Sequence, residues 1–257
     1  MTTPTRSTTG TSPGRYASVN GLRLYHEIHG AGRPLVLLHG GMLTLDLTFG
    51  SLIPALATGR QVIGIELQGH GHTADTGRPM AIDSLADDVV QLLGQLGIEQ
   101  ADFLGFSLGG LVDLSIVLRY PSLVGKLVIA SSDYRSRPPV PHEARKITRM
   151  PTQAEFEEMR GAYERVAPDP GHFPGILARA SAMVAAFEGW TADDLRGVQA
   201  PTLLIFGDSD FIRMENAVEM FELIPNAQLA VLPGTTHVGV TKRPELLLAL
   251  IRPFLGG

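Results

Sequence analysis

Six short apolar runs alternate along the chain with longer stretches of helical spacing. The runs are Pro34–His39, Gln61–Ile65, Ala101–Leu104, Lys126–Ala130, Thr202–Phe206 and Gln228–Leu232. Each is nearly continuous in apolar residues rather than alternating apolar with polar. That is how strands read when a parallel sheet buries both their faces. Parallel neighbours cannot be joined by a tight turn, so each pair needs a crossover, usually a helix. The spacing supplies such helices. Leu85, Val89, Leu92, Leu93 and Leu96 form one stripe, with Asp83 and Ser84 as N-cap candidates and Gly97 as a stop. Leu111 to Leu118 is apolar almost all round, which predicts a sandwiched helix. Leu246, Leu247, Leu250 and Phe254 form a third stripe, entered through Pro244. Ahead of all these, Tyr16 to Ile28 carries Asn20-Gly21 between apolar residues, a strong hairpin signal. The expectation is a doubly wound α/β fold with a mostly parallel sheet of about eight strands.

One interval breaks the rhythm. From Asp133 to Val198 no run reads as a strand, while Phe156, Met159, Tyr163 and Val166 mark one helix and Ile176 to Phe187 another. Pro138, Pro139, Pro141, Pro168, Pro170 and Pro174 punctuate it. Residues 133–198 therefore read as a small helical cap inserted after the sixth strand, leaning as a lid on a core made of 16–132 and 199–257. Residues 1–15, rich in Thr, Ser, Gly and Pro, read as a flexible tail without the apolar segment of a signal peptide. No run of eighteen apolar residues occurs, so no membrane partner is expected and the cytoplasm is the expected compartment.

Composition removes several chemistries. The formal charge of -5 lacks the basic surplus that phosphate-backbone binding requires, so no nucleic-acid partner is expected. The absence of cysteine removes disulfides, thiolate nucleophiles and thiolate metal sites.

What remains is carried by Gly105-Phe106-Ser107-Leu108-Gly109-Gly110, between a strand run and the sandwiched helix. A G-x-S-x-G segment in that context is a nucleophile elbow. The turn is so tight that the positions two residues either side of the serine need to lack Cβ atoms, and Gly105 and Gly109 do. A serine hydroxyl needs a base within hydrogen-bond reach. Among eight histidines, His26 and His29 belong to the hairpin region and His142 and His172 to the insertion. His70 and His72 form an H-x-H pair without a third ligand at metal spacing. His237 follows the last strand run, where loops of an open parallel sheet gather around an active site. The base needs a carboxylate, and Asp210 follows the Thr202–Phe206 run. Asp208 reads as a cap of that turn, and Asp133, also after a strand, is a second candidate acid. Donors for a developing oxyanion would be the N–H of Leu108 and that of Gly41, with Met42 next, in the loop His39-Gly40-Gly41-Met42.

With these residues assembled, the sequence resembles the α/β-hydrolase superfamily from Tyr16 to Leu255. Leu37 to Gly41 is similar to its oxyanion loop, Glu66-Leu67-Gln68-Gly69-His70-Gly71 to its D-x-x-G-x-G segment, and the elbow, acid turn and histidine loop follow in family order. Glu66 stands in place of the usual aspartate, which the resemblance implies alters loop hydrogen bonding rather than chemistry. Met42 stands where subfamilies carry proline, an aromatic residue or glycine. Serine at 107 disfavours the relatives with an aspartate nucleophile. The resemblance implies a serine hydrolase with the triad Ser107, Asp210 and His237, acting on a small or medium carboxylic ester or lactone, with no metal and no organic cofactor. Met42, Leu43, Phe106, Phe211 and Val238 flank these positions and are expected to line an apolar substrate pocket. Similar chains include carbon-carbon bond hydrolases and perhydrolases with the same triad. A ligand-binding receptor of the same fold is the alternative from another class. The oligomeric state is left open, a homodimer included.

Overall fold

The computed structural model describes residues 14–136 and 150–256. Asn20 and Gly21 both adopt positive φ (46° and 78°) and close a two-residue turn between β1 (Arg15–Val19) and β2 (Leu22–His29), with Val19 opposite Leu22. This is the geometry that Asn-Gly favours in a hairpin. Six more strands follow: β3 (Arg33–Leu38), β4 (Arg60–Glu66), β5 (Ala101–Phe106), β6 (Val124–Ala130), β7 (Thr202–Ser209) and β8 (Ala227–Thr236). They join β1 and β2 in one eight-stranded sheet ordered β1-β2-β4-β3-β5-β6-β7-β8. The hairpin and its junction with β4 are antiparallel; every other pairing is parallel.

Along the central strands successive side chains enter opposite apolar layers, as the pleat demands. Val36, Leu38, Ile63, Ile65, Phe103 and Ile129 pack under α3 (Ile82–Gln95) and α4 (Leu108–Arg119). Leu35, Leu37, Val62, Leu104 and Val128 pack on the other face, against the short α1 (Leu45–Phe49) and α2 (Ile53–Leu56) and the carboxyl-terminal α9 (Pro244–Leu255). The helix α8 (Met214–Leu223) joins β7 to β8. The edge strand β8 departs from the expected two-sided burial, and its Val231 is exposed.

Three local expectations are corrected. First, α3 begins at Ile82 with Ala81 as its N-cap, ahead of Asp83 and Ser84. Asp83 sits instead in the first turn, where a carboxylate complements the helix dipole, and accepts a hydrogen bond from Ser115 Oγ at 2.7 Å. Second, α9 buries Leu247, Ile251 and Leu255 and packs Leu250 and Phe254 against the core as expected, but exposes Leu246, because the i, i+4, i+8 row is the one centred on the core. Third, β1 starts at Arg15, which the expected tail had included; residues 1–13 lie outside the described residues.

Between β6 and β7 the chain leaves the sheet. The described part of this insertion contains α5 (Gln153–Val166), α6 (Phe173–Ala186) and α7 (Ala192–Arg196). Thr152 and Glu155 form a reciprocal capping box at the start of α5. An isolated bridge from Arg135 to Gly189, with Trp190 N–H donating to the Tyr134 carbonyl at 2.9 Å, closes the neck of the insertion. Pro138, Pro139, Pro141 and His142 lie outside the described residues. Among the described residues, no helix is long and apolar enough to cross a membrane.

Candidate active site

The strands deliver Ser107, Asp210 and His237 to one rim. Ser107 directly follows β5, and its N–H donates to the Ala130 carbonyl at the end of β6, at 2.9 Å. On the other side of the rim, Ser209 of β7 pairs in register with Thr236 of β8. Asp210 and His237 are the next residues on the two strands, so they leave the sheet side by side. His237 Nδ1 lies 2.8 Å from Asp210 Oδ1, and His237 Nε2 lies 2.9 Å from Ser107 Oγ. A carboxylate only accepts, so the proton sits on Nδ1 and Nε2 is left to accept from the serine hydroxyl. Burial opposes charge on Asp210. The attraction and hydrogen bond of His237, the Ile212 N–H and the Ser131 hydroxyl outweigh it and hold the carboxyl below its ordinary range. Phe211 lies over the imidazole, with ring centroids 3.9 Å apart.

The backbone at Ser107 is strained, at φ 52° and ψ −111°. Such a conformation costs about 1–3 kcal/mol and persists only where the surroundings enforce it. They do so by close approach. A Cβ on Gly109 would stand 1.9 Å from the Leu38 carbonyl oxygen, and one on Gly105 would stand 2.5 Å from the Gly109 backbone. The N–H of Leu108 opens α4 and has no partner within the helix. Gly41 lies against it, 3.8 Å separating the Leu108 side chain from where a Gly41 Cβ would be. Met42 holds a positive φ of 64° in the same turn.

His39 braces this turn from behind. Its Nε2 accepts the Leu67 N–H at 3.0 Å, so Nδ1 carries the proton and donates to the Gly40 carbonyl at 2.8 Å. Glu66 ties the same region together. It accepts from Leu45 N–H at 3.0 Å, from His72 N–H at 2.6 Å and from His72 Nδ1 at 2.8 Å. Sequence reasoning assigned no partner to either residue.

The other candidates have separate occupations. Asp133 accepts from the N–H groups of Tyr134 and Arg135 and from Asn216 Nδ2. Asp208 accepts from Gly234 and Thr235 N–H, fastening the loop that precedes His237. His70 Nδ1 turns to the Gln68 carbonyl and His72 to Glu66, so the H-x-H pair diverges. His26 is buried, His29 contacts Glu27 and His172 contacts Asp75. Among the described residues no group of three or more histidines and carboxylates is placed to hold a metal ion.

Ser107 and His237 open into a cavity of about 570 Å³. Met42, Leu43, Phe106, Phe211 and Val238 line it from the sheet side. The far wall comes from the insertion: Phe156 and Met159 of α5, and Leu177, Ala180, Ser181 and Val184 of α6. Sequence reasoning expected the lid to help form the pocket but named none of these residues, although Leu177, Ala180, Ser181 and Val184 share one helical stripe.

The family model for the alpha/beta hydrolase fold matches residues 33–172. A Rhizobium rhizogenes protein named as a carbamate hydrolase, RutD, is 28% identical over 252 residues, covering 86% of this chain and 94% of that protein. Pyrrolizixenacetamide deacetylase of Xenorhabdus hominickii is 27% identical, covering 89% and 92%. The structure of Est816, described as an N-acyl homoserine lactone degrading enzyme, is 26% identical, covers 94% of this chain and all of its own, and superposes with a TM-score of 0.78. The sheet order, the strand-end placement of the site and these matches agree: the chain belongs to the alpha/beta hydrolase fold family.

Proposed function

We propose that the chain is a serine hydrolase that cleaves a small or medium carboxylic ester or lactone through an acyl-enzyme. One observation carries the reading: the hydrogen-bonded series Asp210–His237–Ser107 opens into a cavity with apolar walls. His237 Nε2 takes the Ser107 proton as Oγ bonds to the substrate carbonyl carbon. The carbonyl oxygen becomes an oxyanion and accepts from the N–H groups of Gly41 and Leu108. Asp210 stabilises the imidazolium and keeps the ring oriented. His237 then protonates the departing alkoxide as its bond to the acyl carbon breaks. Water attacks the acyl-enzyme as His237 takes its proton, and that proton returns to Oγ as the acid leaves. With a lactone the alcohol stays tethered, and the product is a hydroxy acid.

The lining supports an apolar acyl or alcohol group as the part of the substrate that is buried. The insertion acts as the lid that excludes water from it. The names of the relatives, which include a lactone-degrading enzyme and a deacetylase, are consistent with acyl transfer to water. The test is covalent capture. A fluorophosphonate should label wild type on Ser107 and leave Ser107→Ala unlabelled, with p-nitrophenyl butyrate hydrolysis falling about 10⁵-fold in that variant. Labelling at another residue, or residual hydrolysis above about a hundredth, would remove Ser107 as the nucleophile.

A further inference from the structure

The segment Gln68 to Arg78, which follows β4, contains the part of the resemblance motif that the mechanism leaves unused. It forms a socket for the insertion. The Asp75 side chain is only 3% exposed. From the core side, its Oδ1 accepts from Gln68 Nε2 at 3.2 Å and from the Gly77 N–H at 3.2 Å. From the insertion, its Oδ2 meets His172 Nε2 at 2.9 Å and the Arg179 guanidinium at 3.1 Å. Arg179 also donates to the Arg78 carbonyl. Burial works against charge on Asp75, but the bonds from His172, Gln68 and Gly77 and the charge of Arg179 outweigh it and keep the carboxylate ionised.

Beside this polar clamp sits an apolar one. Ile176 is fully buried against Gly69, whose φ is +75° and where a Cβ would stand 2.3 Å from Ile176 Cδ1. Only glycine provides that notch. Along α6 the gripped residues, Ile176 and Arg179, lie roughly 100–160° around the helix from Leu177, at about 100° per residue. Leu177, with Ala180, Ser181 and Val184, faces the cavity above Ser107. The helix is thus held from its back and side while its front forms the wall of the substrate space.

We infer that Asp75 is a positioning residue that pins α6 to the core and thereby sets the depth of the acyl-binding cavity. It touches neither Ser107 nor the cavity, and acts through the helix it holds. The specificity part of this inference rests on the hydrolase reading above; the pinning part does not.

The experiment uses two variants of the full chain, Asp75→Asn and Arg179→Gln. The second leaves the core-side bonds of Asp75 in place and guards against a folding failure of the first. Two readouts separate the claims. Hydrogen exchange by mass spectrometry should rise about tenfold in 173–186 and stay unchanged in 108–119. KM for p-nitrophenyl octanoate should rise about tenfold, the worth of roughly one methylene contact, while kcat for p-nitrophenyl acetate stays within about twofold. Unchanged exchange in 173–186, or equal losses on both esters, would overturn the assignment. Should wild type hydrolyse neither ester, the hydrolase reading fails, and the exchange measurement still decides whether Asp75 pins the helix.

Discussion

On the sheet side of the cavity, Ser107, Asp210 and His237 each stand one residue beyond the end of a strand, fixed by backbone pairing on both sides or on one. On the insertion side, Met159, Leu177 and Val184 belong to helices that meet the core through side chains, Tyr163, Phe173, Ile176 and Met183 by burial and His172 and Arg179 through Asp75. The sheet side is held by a cooperative ladder and by steric limits that a single Cβ would violate. The insertion is held by separable contacts. On the proposed function, chemistry that tolerates displacements well under an ångström falls to the first, and a wall that parts to admit substrate falls to the second.

That contrast can be broken from either side. The largest effect is expected at Asp210→Asn, which keeps the shape but reverses the hydrogen-bonding demand on His237 Nδ1. On the proposed mechanism kcat should fall about 10⁴-fold with melting little changed. A loss below tenfold in steady-state ester hydrolysis would remove Asp210 from the mechanism. Next is Gly109→Ala, where the added methyl would overlap the Leu38 carbonyl. Urea unfolding should show a loss of about 3 kcal/mol, whereas substitutions of the same size on the exposed face of α5 should cost a few tenths. Near-neutral behaviour of Gly109→Ala would mean that the elbow is as yielding as the insertion.

The smallest effect concerns pH. His39 is buried and neutral, its pKa pushed down to about 3, first by burial and then by the neighbouring His70. Burial also lowers His26 and His70. In the unfolded chain such groups protonate near 6.5. Below that value and above the folded pKa, only the unfolded state takes up the proton, so stability falls as pH falls. His39 contributes a slope of about 1.4 kcal/mol per pH unit between those two values. Urea midpoints at pH 7, 6 and 5 should drop progressively, and His39→Gln should remove about one proton's worth of the slope. An unchanged slope would show that His39 is protonated in the folded chain.

The two sides also differed in how far they could be read from residues alone. Ser107 and His237 were legible because each follows an apolar run, and Ser107 also lies between two glycines that permit close approach. The strand-helix alternation was legible for the same reason, since burial on both faces leaves a continuous apolar record. The insertion wall was not. Its α6 carries apolar residues on faces toward both core and cavity, so one helical pattern serves two surroundings. Nor were the polar tethers. Glu66 and Asp75 gain meaning only from partners brought near by folding, and His172 lies 97 positions from Asp75. The short α1 and α2 escaped because five and four residues leave too little periodicity to detect.

One consequence follows from the Ser209–Thr236 rung. The strand that leads to His237 is at one edge of the sheet, with a ladder partner along one flank only among the described residues. Fraying of that border would part His237 from Asp210 while the central ladder stayed closed. On the proposed function, catalytic competence would then be lost under mild denaturant ahead of any loss of circular dichroism, and turnover would serve as a sensitive gauge of how firmly this edge strand is zipped.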